Sequence, residues 1–245
     1  SWGMLENLAG NKNFPVSNWS GFLGKTKNHH KYDSSDTYKA ITKIAGFDKD
    51  EIKAHVHDKI KDPNVGKYDM SDHEGLEPEF YEDLIGKYKD NADLNTSNKA
   101  IRVAVNGLAT AKHSPQSLER AKKLFQTGQH SDGTSVDISG KADDFVKNQK
   151  DLDPQYLESL FNTSIEGGDR EVARAILGHE KVPASLVAKI ANHDETGDNN
   201  YDHKQLKNTA YASPKLPEEV RKAKVQEAVQ AHLAKAANNS YETRQ

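Results

Sequence analysis

The chain has no cysteine, which excludes disulfides, zinc–thiolate sites and thiol nucleophiles. Its longest apolar runs are only a few residues, too short for a membrane-spanning helix, so no membrane partner is expected. A block of one charge is missing as well. Lys and Arg number 34 against 37 Asp and Glu, a formal charge of −3 with the signs interspersed. Nucleic-acid binding calls for a clustered cationic surface, so nucleic acid is disfavoured as the main partner. The glycine-lysine phosphate loop, the dinucleotide fingerprint and the strained serine elbow are all absent. Residues Ser1 to Met4 lack the charged-then-apolar order of a secretory leader, and none is expected. Sustained β alternation is also missing: Thr134 to Ile138 is the best strand candidate, and it is short and isolated.

What is present is helical periodicity in a polar chain. Of its 245 residues, 34% are hydrophobic and 29% charged, which suits a thin two-layer architecture whose helices each bury one stripe. Residues 1–35 are rich in Asn, Gly, Ser and Lys, with Phe14, Trp19, Phe22 and Leu23 as scattered anchors, and read as an irregular arm docked by its aromatics. From Asp36 the apolar residues Tyr38, Ile41, Ile44 and Ala45 recur at spacings of three and four, and Gly46 stops that helix. A second runs from Asp48 through Val56 and Ile60 to Asp62-Pro63. Further helices are expected near 78–89, 97–111, 115–127, 154–163, 169–178, 183–192, 203–212 and 217–236, with longer loops at 128–148 and 194–203.

One short pattern recurs: proline, two residues, then an apolar residue. It stands at Pro78 to Tyr81, Pro115 to Leu118, Pro154 to Leu157, Pro183 to Leu186 and Pro217 to Val220, with Lys49 replacing proline at Lys49 to Ile52. Proline suits the first helical position, where its missing N–H removes nothing. Ser114, Asp153 and Glu77 stand where a cap would. Each segment is therefore expected to start a helix, and the apolar residue to be buried. The starts fall roughly 30 to 40 residues apart with a second amphipathic helix in each interval, the layout of a helical solenoid.

The stretches Ala173 to Leu186 and Ala210 to Val220 resemble the variant leucine-rich and HEAT-like repeats of bacteria and their phages. There an alanine-rich helix ends in a short proline turn, here Ser213-Pro214, and a proline-started helix follows. The resemblance covers roughly residues 150–235 clearly and 47–127 more weakly. It implies an all-α irregular helical-repeat array, α-solenoid-like, of about five or six short helix pairs behind the N-terminal arm. The array occupies 36–237, with a possible sub-boundary at 128–148 and a frayed tail at 238–245. It also implies binding of protein or nucleic acid without catalysis; with no basic cluster in the sequence, the expectation is a non-catalytic binding or scaffolding module, cytoplasmic or associated with a phage virion, that holds a protein partner without a cofactor. The two long loops carry Asp, Asn, His and Gly, so a polar, salt-sensitive contact is expected there.

An enzymatic alternative rests on His57-Asp58. A helical His-Asp pair with an upstream His, at His29 or His30, and a later Asp such as Asp132 or Asp137 is the layout of metal-dependent HD-type phosphohydrolases, which are also all-α. That chemistry needs imidazoles and carboxylates converging on a divalent ion. In this alternative His30, His57 and Asp58 would hold the metal; the preferred reading assigns no metal, cofactor or catalytic residue. The acidic loop from Asp194 to Asp202 falls short of a calcium loop. Its Gly197 stands at the fourth position instead of the sixth, and Gln205 replaces the twelfth-position Glu.

Overall fold

The computed structural model describes residues 48–66, 75–138, 140–166, 169–192 and 201–242. The aromatic arm, the helix expected at 36–45, His30 and residues 193–200 lie outside them. Among the described residues every regular element is an α-helix, and β structure is limited to one isolated bridge between Gln129 and Ser135. The candidate strand at Thr134 to Ile138 is thus part of a turn. The chain divides into two compact units, to Gln149 and from Lys150.

The first unit holds α1 (Lys49–Lys61), α2 (Pro78–Tyr88), α3 (Leu94–Thr110), α4 (Pro115–Thr127) and α5 (Ala142–Asn148). Helix α1 begins where the Asp48 carboxylate accepts the Asp50 N–H at 2.9 Å, and Asp50 and Glu51 complement the positive helix end. Its Ile52, Val56 and Ile60 form one buried row. Helix α2 opens on Pro78, but Glu77 does not cap it: that carboxylate pairs with Lys53 of α1 instead. Asp93 caps α3 by accepting the N–H groups of Asn95 and Thr96. Helices α2 and α3 pack closely because one face of α3 is made of small residues. The Tyr81 ring lies over Gly107, where a Cβ would fall 2.1 Å from the ring edge.

Ser114 caps α4 through the Ser117 N–H at 3.2 Å, and Gly128 ends it in the left-handed region at φ 66°. The stretch 128–148, expected as one long loop, is a tight turn followed by α5. In the turn Val136 is buried and donates its N–H to the Gly128 carbonyl at 2.7 Å, while Lys89 bridges to Asp132 at 2.7 Å. Helix α5 has seven residues, too few for periodicity to reveal. Its Phe145 is buried and stacks on Phe125 of α4 with centroids 4.4 Å apart.

The second unit holds α6 (Pro154–Glu166), α7 (Arg170–Gly178), α8 (Ala184–Asn192), α9 (Tyr201–Ala212) and α10 (Glu218–Glu242). Asp153 caps α6 by accepting the Tyr156 N–H at 2.8 Å, and Asp169 caps α7 through Val172. Helix α7 packs on α6 and α9, and α8 packs on α9. The core is Leu157, Leu160, Phe161, Ile176, Val187 and Ile190, each at most 1% exposed. Helix α10 runs on to Glu242, through the residues from Asn238 expected to fray.

The five prolines split into two kinds. Pro78, Pro115 and Pro154 are first helical residues, as expected. Pro183 and Pro217 stand one position earlier, just before α8 and α10. The residue ahead of the proline accounts for four of the five, since Pro78 opens α2 although Glu77 does not cap it. Ser114 and Asp153 carry an oxygen that caps, whereas Val182 and Leu216 are buried, and the proline carbonyl accepts the first helical bond itself. Burial of the fourth residue also differs. Tyr81, Leu157 and Leu186 are buried, but Leu118 and Val220 are only half-buried.

Three substitutions check this packing. Gly107→Ala is expected to lower stability by about 1–3 kcal/mol in urea unfolding, although alanine is the better helix former, because the Tyr81 ring must move. An unchanged or raised midpoint would remove the close approach. Leu157→Ala should cost about 2–5 kcal/mol, and Leu118→Ala clearly less; equal losses would contradict the burial difference.

Candidate functional site

Helix α10 is anchored at its start, as far as Lys224 over the Tyr211 ring, and its side chains from Val225 to Ala236 are exposed. The Arg221 guanidinium donates to the Ser213 carbonyl at 3.1 Å and the Tyr211 carbonyl at 3.4 Å, at the end of α9. Leu216 is buried just ahead of the helix. From Lys222 to Ala236 every residue is exposed. Three large apolar side chains lie in that span at i, i+4 and i+8: Val225, Val229 and Leu233, which are 59%, 51% and 57% exposed. This spacing puts them on one face, about 6 Å apart along the axis. Charged pairs run beside them, with Lys224 and Glu227 at 2.7 Å and Arg221 and Glu218 at 3.7 Å. The sequence of this helix, expected at 217–236, is rich in alanine and charged residues. The period-four row was legible in it but passes for the inner face of an ordinary core helix, and only burial distinguishes the two.

The His57-Asp58 pair diverges. Neighbouring residues on a helix point in different directions. His57 is half-buried and turned toward α2, with Nδ1 2.9 Å from the Tyr88 hydroxyl and its ring against Phe80 and Tyr88. Asp58 is exposed. Asp132 is bound to Lys89 and His130, and Asp137 lies in a cleft beside α3. Among the described residues no three His, Cys, Asp or Glu side chains come together as a metal site. His30 of the HD-type reading lies outside those residues. No described helix is long and apolar enough to cross a membrane.

The titrating groups are structural in their surroundings. Lys89 beside Asp132 holds that carboxyl well below the usual carboxylate range, with the Thr134 hydroxyl and N–H helping. Burial pushes the His57 imidazole down, with Lys87 and Lys61 adding to the effect. Burial also pushes His113 down, partly offset by the Leu108 carbonyl 2.8 Å from Nε2. Its Nδ1 lies 3.1 Å from the Ser117 hydroxyl.

No family model and no curated protein matches the chain. A solved structure described as a crystal structure of an engineered protein is similar at 15% identity and a TM-score of 0.37. The match covers 91% of this chain and 66% of that one.

The histidine shifts set a pH dependence. Both imidazoles are lowered in the folded state, so between the folded value and about 6.5 the unfolded chain binds more protons. Their stabilisation is complete above about pH 6.5 and declines as pH falls toward the folded values. The urea midpoint is expected to be lower at pH 5 than at pH 7.5, with part of the difference lost in His113→Gln. A midpoint equal at both pH values would contradict the buried neutral imidazoles.

Proposed function

We propose that the chain is a non-catalytic binding or scaffolding module that holds a protein partner, with α10 as its contact. The observation that carries this reading is the apolar row Val225, Val229 and Leu233 on a helix exposed from Lys222 to Ala236. A helix gains most of its stability in proteins from burying one face. A row at this spacing is the form that docks into an apolar groove of a second protein. Burying three such side chains contributes on the order of 5 kcal/mol before the costs of association. The resemblance to helical-repeat proteins supports the same reading and suggests a cytoplasmic or virion-associated setting.

This moves the contact away from the polar loops. The turn at 129–138 is tied in by Val136 and by Lys89, so deleting it would disturb the first unit as well as any contact. The binding is accordingly expected to depend little on salt.

The test replaces Val225, Val229 and Leu233 together with serine and compares capture from the native source with the unaltered chain. The variant should keep a helical far-UV spectrum while capture of one defined protein weakens about 100-fold or more. Unchanged capture would remove α10 from the reading. Metal-dependent phosphate-ester turnover abolished by His57→Ala would overturn the non-catalytic reading altogether.

A further inference from the structure

A second site lies in the first unit. A cavity of about 110 Å³ opens beside α3, lined on one side by Asn98, Arg102 and Asn106, at i, i+4 and i+8. Ile101 and Val105 give it an apolar wall, and Asp137 and Lys141 close it from the segment leading into α5. Asn106 is 5% exposed, and neither its Nδ2 nor its Oδ1 has a hydrogen-bond partner among the described residues. Leaving a buried amide unpaired is costly. That amide belongs to a residue lining the cavity.

We infer that this cleft binds an extended peptide segment, with Asn106 pairing reciprocally to a carboxamide of the ligand. Three features select that chemistry. The asparagine offers one acceptor and a donor pair in one plane, which a carboxamide or peptide unit matches and a carboxylate or phosphate only half satisfies. The lining carries both signs, Arg102 and Lys141 against Asp137, which suits a mixed polar chain better than a phosphate-bearing one. The polar row advances about 6 Å per step along the helix, close to the roughly 6.7 Å two-residue repeat of an extended chain. A strand laid along α3 would therefore present alternate residues to Asn98, Arg102 and Asn106, while Ile101 and Val105 take its methylene groups.

The inference deepens the protein-binding reading by naming a ligand chemistry, and it is tested without any partner. The full chain is titrated with acetyl-Ala-Gln-Ala-amide, its leucine analogue and adenosine, following the Asn106 side-chain amide and Lys141 backbone resonances by NMR. The glutamine peptide should shift both saturably, with a dissociation constant on the order of 1 mM as befits a short ligand. The leucine analogue and adenosine should shift them at least about 10-fold more weakly. Asn106→Leu should abolish the response while leaving the thermal midpoint equal or higher, since it removes an unpaired buried amide. No saturable shift, or equal binding by the leucine analogue or by Asn106→Leu, overturns the inference, as does a lowered midpoint in that variant. Preferential binding of adenosine overturns it in favour of a nucleobase site. None of these outcomes touches the α10 row, whose test uses other residues.

Discussion

A helix leaves its last carbonyls without partners, and in this protein side chains reaching from later elements supply them. Lys99 of α3 is fully buried and gives its ammonium to the Asp62 carbonyl at 2.6 Å, closing α1. Gln149 donates to the carbonyls of Ala109 and Ala111, closing α3. In the second unit Lys215 reaches the carbonyls of His179, Glu180 and Val182 behind α7. Tyr211 closes α8 through Ala191, and Arg221 closes α9. Each such contact satisfies an acceptor at or just beyond a helix end and ties that end to a later element. A cation also complements the negative helix end. Burial pushes the Lys99 ammonium down, and Asp62 and Asp93 oppose that.

Three of these caps span 37, 40 and 36 residues, close to the spacing of the proline-led helix starts. The capping residue differs each time, a lysine, a glutamine and again a lysine. Loops can therefore vary in length without losing the connection, provided a long donor reaches back. That accounts for irregular intervals in a chain whose helices are regular. It also explains the polar composition, since long charged side chains bury their stems while their heads serve carbonyls.

Much of this was legible in the sequence, and what was not has definite causes. Ser114, Asp153 and Asp169 announce helix starts because a capping oxygen acts within three residues, a local effect. Pro183 and Pro217 were placed one position too far inside, because the buried Val182 and Leu216 ahead of them cannot cap. Helix α5 escaped because seven residues between polar neighbours show no period, and Phe145 is held by Phe125, a tertiary contact. The caps by Lys99, Gln149 and Lys215 are invisible for the same reason. So is Asn106, one polar letter in an apolar helix. His57-Asp58 illustrates the converse: adjacent letters suggest one site, while helical geometry sends the two side chains apart.

Helix α10 is the exception to this economy, since its residues from Lys222 to Ala236 are all exposed. Amide hydrogen exchange on the free chain reads both halves of the account at once. Amides of α3 and α7, closed by Gln149 and Lys215, should exchange only through global unfolding, whereas those from Lys222 to Ala236 should exchange orders of magnitude faster. Protection of 222–236 equal to that of α3 in the free chain would contradict an uncovered docking helix, and rapid exchange throughout α3 and α7 would contradict the caps.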